Sequence, residues 1–136
     1  IYNRTINSSG AIISWKEVTN NEVNSKMVYS TGTGTKAATI SSNSLELVWY
    51  KYGRICVIRF AFIPSSDISA NKALIASGFP AAAGAQTESV PVVNSSGSIS
   101  RGNIGITTDG CLYNWYASTL KTGEYVKGGI VYITKD

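Results

Sequence analysis

Apolar and polar residues alternate over short stretches of this chain, a pattern typical of β-strands with one buried face. Between residues 45 and 50, a leucine or tryptophan occupies every second position. The next stretch, 55–63, is apolar on both sides and is interrupted only by Arg59. Such a strand lies in the middle of a sandwich or beneath another subunit, because a solvated face would carry polar residues. Arg59 then needs a partner, since an unpaired buried charge is costly.

Further strands are predicted at short intervals towards the C-terminus. They cover residues 87–93, 98–107, 111–117 and 126–134, and the last is split by glycines at 128 and 129. Turn-forming residues separate them, and no window has the period of a long helix. Short strands at this spacing predict an all-β fold, either an antiparallel β-sandwich, a jelly roll or a barrel.

The dipeptide Asp109-Gly110 predicts a tight hairpin, because it favours a two-residue type I′ turn. Such a turn pairs Thr108 with Cys111, Ile106 with Tyr113 and Ile104 with Trp115. Side chains on a strand repeat every two residues, so these pairs share one face. We expect that face to be core, and the more polar opposite face, with Asn114 and Tyr116, to be exposed.

The first 24 residues are predicted to form a separate unit. Residues 1–5 and 12–18 are strand-like and flank a turn at 7–10, which together predict a β-hairpin. The polar stretch 19–25 has no apolar period and predicts a connector. Residues 25–136 then form the main domain.

Composition and charge argue against nucleic acid and membrane as partners. The chain is 43% hydrophobic and only 15% charged, with a formal net charge of +4. Its twelve basic residues are scattered singly and do not form the basic stripe typical of nucleic-acid binding. No apolar run reaches the roughly 18 residues that a spanning helix needs, so we predict no membrane insertion.

The residue types available for chemistry are few. With no histidine, the Ser-His-Asp and Cys-His arrangements and the usual zinc ligand sets are missing, so we predict no enzyme, no cofactor and no metal site. Cys56 and Cys111 are interpreted as small buried hydrophobes, with a bridge between them as the alternative. Glu46 and Glu88 leave open a pair of carboxylates that hydrolyses a glycan.

Aromatic residues favour binding over catalysis. The chain has eight tyrosines and three tryptophans, whose rings stack on the apolar faces of sugars. The segment 113–116 beside Asp109 combines such rings with amide and carboxylate partners. We interpret Tyr113 and Trp115 as core, which leaves the following candidate ligand-binding residues. They are Tyr52, Arg101, Asn103, Asp109, Asn114 and Tyr116.

The first residues resemble the end of the pyocin knob, a repeat of bacteriophage tail fibres and related bacteriocin fibres. The repeat closes with aromatic-x-Arg-Thr, a turn and Ser-x-Trp, and the corresponding residues here are 2–5, 8–10 and 14–18. In this chain Trp15 follows Ser14 directly, whereas the repeat has one residue between them.

Residues 26–136 resemble the C-terminal tip domains of phage fibres in general layout. The similar parts are the strand pair 49–57, the turn 76–80, the strand and Asp-Gly turn 102–110 and the terminal strand 128–134. The resemblance implies a homotrimeric tip of a virion tail fibre that attaches to a bacterial surface receptor, a glycan or a protein. It supplies no binding residues by position, because receptor pockets vary between tips. The alternative is a structural knob that registers three chains and binds nothing.

Overall fold

The structure is a computed structural model that describes residues 2–6, 12–17, 28–42, 45–115 and 118–136, the first two ranges as backbone only. Within these ranges every regular element is a β-strand. In chain order the strands are β1 (Tyr2–Ile6), β2 (Ile12–Glu17), β3 (Tyr29–Thr33), β4 (Thr35–Lys36), β5 (Glu46–Tyr52), β6 (Ile55–Phe62), β7 (Asn71–Ser77), β8 (Gln86–Val93), β9 (Ile99–Ile106), β10 (Leu112–Trp115) and β11 (Tyr125–Ile133). The predicted turn at 7–10 and connector at 19–25 lie outside the described residues.

The strands form two sheets. Strands β1 and β2 pair antiparallel as a separate two-stranded sheet. The other described strands form one nine-stranded sheet in the order β3-β5-β6-β11-β8-β9-β10-β7-β4, with every pair antiparallel. The all-β antiparallel fold predicted from the sequence is confirmed.

The nine-stranded sheet nearly closes on itself. Strands β3 and β4 stand at opposite ends of the strand order, yet only Gly34 separates them in the chain. Their continuous path pairs with β5 on one side and with β7 on the other. A Cβ at position 34 would overlap the ring of Phe79, so glycine is needed where the chain crosses this corner.

The closed sheet has two halves that share one core. We call β3, β5, β6 and β11 the β6 half, and β7, β8, β9 and β10 the β9 half. Strands β11 and β8 join the halves through two residue pairs, Tyr125 with Val93 and Val126 with Val92. Inward side chains from both halves meet between them, among them Ile58, Phe60, Ile75, Val90, Ile104, Ile106 and Ile130.

Strand β6 lies between β5 and β11, but its two apolar faces are not both covered by the residues that the structure describes. Alternate residues from Cys56 to Phe62 point inward and are buried. The other side faces outward, where Ile55 is 49% exposed. Arg59 is on that outer side, and it forms an ion pair with Glu46 of β5 at 3.3 Å. The arginine therefore meets the partner it needs without being buried.

Two sequence expectations about individual residues fail. The predicted break at residues 128 and 129 is wrong, because β11 runs through both glycines. Gly128 instead makes room for the other half, since a Cβ there would stand 2.7 Å from Cγ1 of Val90.

The alternative of a bridge between Cys56 and Cys111 is also wrong, because both thiols are free. In the described segments no helix is long and apolar enough to cross a bilayer.

Candidate functional site

The β9–β10 hairpin has a longer loop than its Asp-Gly dipeptide predicts. Thr107 is opposite Cys111, because its N–H donates to the Cys111 carbonyl at 3.1 Å. The loop thus contains Thr108, Asp109 and Gly110, and Gly110 has a φ of 76°. This is the three-residue hairpin that ends in a left-handed glycine, not the two-residue type I′ turn.

One additional loop residue moves the pairing register by one. Leu112 is opposite Ile106, and Tyr113 is opposite Gly105. A shift of one residue turns each side chain of a strand to the other face of the sheet. The expectation that Tyr113 and Trp115 are core is therefore wrong, and both lie on the outer face of the β9 half. Ile104 and Ile106 are buried, as predicted.

Asn114 points into the core instead of towards solvent. Its side chain is fully buried, and Nδ2 lies 2.8–3.1 Å from three backbone carbonyls, those of Ile68, Ser69 and Ser118. Ile68 and Ser69 precede β7, and Ser118 follows β10. The amide therefore ties both of these loops to the sheet. The predicted exposure of Asn114 is wrong, and its amide serves packing.

A cavity of about 410 Å³ opens on the outer face of the β9 half. Its walls come from β7, from β10 and from the loop between β9 and β10. The lining residues are Lys72, Thr107, Thr108, Asp109, Tyr113 and Trp115. The cavity combines two aromatic rings, two hydroxyl side chains, one carboxylate and one ammonium. Those are the groups that recognise a small polar ligand with an apolar face.

Trp115 forms the platform of this cavity. Gly105 on the neighbouring strand has no side chain, so the indole rests against the sheet. Asn103 fixes the strand end, because its Nδ2 donates to the Trp115 carbonyl at 3.1 Å. From β7, the Lys72 ammonium lies 4.5 Å from the centre of the indole ring. The indole is thus in close contact with the sheet at Gly105, and the Lys72 ammonium lies over its ring.

The cavity carries one negative group, the Asp109 carboxylate, and one positive group, the Lys72 ammonium. The Thr107 hydroxyl donates to the Asp109 carboxylate, and this bond lowers the pKa of Asp109. Burial raises the pKa of Tyr113, so its phenol keeps its proton at neutral pH. Burial is also the main cause that raises the pKa of Cys111, which lies beside Asp109 at the loop end. At neutral pH the site therefore presents a carboxylate acceptor and a neutral phenol.

The structure brings together some of the predicted site residues and separates others. Asp109 lines the cavity and Asn103 supports it. Arg101 lies further along the outer face of β9, where its Nε donates to the Ser89 hydroxyl at 3.1 Å. Tyr52 ends β5 in the other half and is 47% exposed. Tyr116 lies outside the described residues. Ligand binding by any of them stays a prediction.

The proposed hydrolytic pair is not assembled. Glu46 faces outward from β5 and is engaged with Arg59. Glu88 is on β8, and β6 and β11 lie between the two strands in the sheet order. Three strand spacings, roughly 14 Å, therefore separate β5 from β8. A retaining or inverting pair requires carboxyl groups within about 5–10 Å on the same site.

Sequence reasoning missed Lys72 and placed Trp115 and Tyr113 on the wrong face. The one available signal for the aromatic platform was Gly105, a small residue on the strand preceding an aromatic one. Nothing in the sequence indicated Lys72, which reaches the cavity through an irregularity of β7.

Fold and site define an all-β domain with one nearly closed antiparallel sheet and an aromatic cavity on the outer face of that sheet. This fold is similar to the crystal structure of the head domain of lactococcal phage bIL170, a receptor-binding domain, with a TM-score of 0.58 and 13% sequence identity. The match covers 77% of this chain and 97% of the phage domain. At this identity the similarity shows a common fold. No protein-family model and no curated protein matches the chain. The knob-like resemblance of the first residues and the boundary after residue 24 stay predictions.

Proposed function

We propose that this domain is the host-adhesion tip of a phage tail fibre and binds a bacterial surface glycan in the cavity at Trp115. The observation that carries the proposal is the cavity itself, which places Trp115, Tyr113 and Asp109 together on an outer sheet face. The fold supports it, because the similar bIL170 head domain is a receptor-binding domain. Such a domain acts outside the host cell, at the end of the virion tail.

The chemistry of the cavity suits a sugar ring. An indole offers a flat apolar surface to the C–H groups of a pyranose, while polar groups at its edge choose between hydroxyl positions. The ionised Asp109 carboxylate accepts hydrogen bonds from two neighbouring hydroxyls. The protonated Tyr113 phenol both donates and accepts. A protein receptor would have to present a polar segment of similar size, and the cavity of about 410 Å³ fits one or two sugar units better.

Adsorption with the complete fibre tests this proposal. We expect Trp115→Ala to lower binding of the domain to host cells or to a glycan array by at least about tenfold, because an aromatic anchor is removed. Ile99→Ala is the matched control, since Ile99 is 70% exposed on β9 and does not line the cavity. Equal adsorption by folded Trp115→Ala and wild-type fibres would exclude this cavity as the receptor site.

A second candidate function, assembly of the fibre, is favoured by an exposed apolar surface on the β6 half. Two rows of directly opposite residues run across its four strands. One row is Tyr29, Tyr52, Ile55 and Ile133, and the other is Thr31, Tyr50, Val57 and Val131. Six of these side chains are 38–59% exposed. We call these two rows the apolar face.

Copies of the chain itself are the proposed occupants of the apolar face. Isolated soluble domains rarely expose a continuous apolar surface of this kind, whereas oligomers bury it. Arg59 lies next to these rows and is paired with Glu46, so this arginine brings no unpaired charge to the contact between identical copies. A homotrimer buries the surface on every copy. In this arrangement Tyr52 contributes to assembly instead of ligand binding.

Light scattering measures the oligomeric state, and adsorption then distinguishes the two functions. We expect wild-type protein to be trimeric and Val131→Asp to be monomeric, while Ile99→Asp on the other half stays trimeric. If Trp115→Ala fibres assemble but no longer adsorb, the domain is an adhesin. If deletion of the domain yields monomeric fibres and no variant of the cavity alters adsorption, it is an assembly knob.

A further inference from the structure

Lys72 occupies the place on Trp115 where a sugar would stack. Its ammonium lies over the indole ring, 4.5 Å from the centroid, and both residues line the cavity. Gly105 supports the same ring from the sheet side. A pyranose that stacks on the indole within this cavity would therefore meet the ammonium over the ring.

The backbone of β7 is distorted where it carries Lys72. Trp115 is opposite Asn71 and Asn114 is opposite Ala73, so β7 has one additional residue, Lys72, between these two pairs. Its φ is 54°, a left-handed conformation that a side chain with a Cβ rarely adopts. Bulges of this kind redirect a side chain, and strained residues of this kind concentrate at functional sites. Here the bulge directs the lysine onto the indole.

We propose that Lys72 competes with the ligand for the face of Trp115 and thereby determines which sugars the cavity accepts. This inference rests on the proposed glycan binding. A sugar that stacks on the indole displaces the ammonium and forfeits its cation–π contact. A sugar that offers an acceptor oxygen to the displaced ammonium recovers part of that loss, and a sugar without one does not. Lys72 is thus a specificity-determining residue beside the aromatic platform.

NMR of the uniformly labelled domain tests directly, without a ligand, whether the Lys72 side chain lies over the Trp115 ring. Protons above an indole ring are shifted upfield by its ring current, so we expect the ε-methylene protons of Lys72 to be upfield of those of the other lysines. Trp115→Leu should return them to the ordinary position. Ordinary Lys72 shifts in the wild-type domain would overturn the inference whether or not any glycan binds.

Titration then tests the competition. The probes are the methyl glycosides of glucose, galactose, rhamnose and N-acetylglucosamine, common units of bacterial surface polysaccharides. We expect a bound probe to move the Lys72 protons back towards the ordinary position. We also expect Lys72→Gln to bind a probe that lacks an acidic group about two- to fivefold more tightly, the equivalent of one exposed cation–π contact. Lys127→Gln, which removes one exposed charge from β11, should bind as the wild type does.

The outcomes separate this inference from the proposed function. If Tyr113 and Asp109 resonances respond to a probe but Lys72 does not, the glycan site stands and the competition is wrong. Weaker binding of a probe by Lys72→Gln would also show that the competition is wrong, because Lys72 would then contact the sugar directly. If no cavity resonance responds to these probes or to host polysaccharide, the proposed function fails and the competition fails with it.

Discussion

The indole of Trp115 lies so close to Gly105 that a Cβ at position 105 would stand 2.9 Å from Cε3 of the ring. On the other side, the same Cβ would stand 3.1 Å from Cγ2 of Thr87. The glycine is therefore wedged between β8 and the aromatic platform. A side chain at position 105 would therefore push the indole away from the sheet.

We expect Gly105→Ala to push the indole outward and to weaken ligand binding at the cavity by about tenfold, with a loss of about 1 kcal/mol in the free energy of unfolding from overpacking. Glycan binding and the indole N–H resonance of Trp115 measure the two effects. Gly84→Ala is the control, since nothing lies within 4 Å of a Cβ at that position. An unchanged Trp115 resonance in Gly105→Ala would show that the ring does not rest on the sheet.

The buried amide of Asn114 leads to a prediction about stability. Asn114→Ala removes the donor to the carbonyls of Ile68, Ser69 and Ser118, which stay buried or partly buried without it. We expect the free energy of unfolding to fall by about 2–4 kcal/mol, measured by urea denaturation. Asn71→Ala, at an exposed position on β7, should change it by less than about 0.5 kcal/mol. Similar values for the two variants would contradict the structural role of Asn114.

The lowered pKa of Asp67 leads to a prediction about how stability depends on pH. The backbone N–H and the hydroxyl of Thr122 donate to its carboxylate, and Lys121 lies 3.3 Å away. The hydrogen bonds from Thr122 are the main cause that lowers the pKa of Asp67 from its ordinary value of 3.8. A group whose pKa falls on folding stabilises the protein above the unfolded value. That contribution disappears as the pH drops through the lower, folded value.

Asp67→Asn should therefore reduce stability at neutral pH and flatten its decline in acid below pH 3.8. Thermal unfolding between neutral pH and the acid range measures both effects. Thr122→Val keeps the backbone donor and removes the hydroxyl, so it should produce a smaller change of the same sign. An acid decline in Asp67→Asn as steep as in the wild type would assign that decline to other carboxylates.

The two thiols should differ in reactivity. Cys56 is fully buried, and burial raises its pKa above the ordinary 9.0. Cys111 is only partly buried, although its pKa is raised as well. We expect a disulfide reagent to label Cys111 slowly in the folded protein, faster as the pH rises, and Cys56 only after unfolding. Cys111→Ser should then abolish labelling of the folded protein. Equal rates for both thiols would contradict the burial of Cys56.

The strands were predictable because both halves of the sheet bury one face. That requirement produces a period of two in β5, β8 and β9. It does not explain β6, which is apolar on both faces although Ile55 on its outer face is 49% exposed. The N-terminal boundaries of β8 and β9 are within one residue of the prediction. Turn residues between the strands are equally local, so their positions also follow from the sequence.

The faces of β10 were not predictable from the hairpin alone. Asp109-Gly110 is compatible with a two-residue or a three-residue loop, because both need a glycine in a left-handed conformation. The longer loop prevails because it buries Leu112 and supplies the amide of Asn114 with carbonyls from residues 68, 69 and 118. The residues that carry these carbonyls are not adjacent to Asn114 in the sequence, so no local pattern predicts the contacts. The same shift places Tyr113 and Trp115 in the cavity.

The sequence by itself determined the all-β class, most strand positions and the presence of an aromatic, carboxylate-bearing segment near Asp109. Only the tertiary structure decided which side of that segment faces outward, how β3 and β4 bring the sheet to near closure through Gly34, and that Lys72 covers Trp115. The physical reason is the range of the interactions. Period and turn chemistry act between neighbours in the chain, whereas register, closure and the bulge at Lys72 depend on contacts between strands that meet only in the folded sheet.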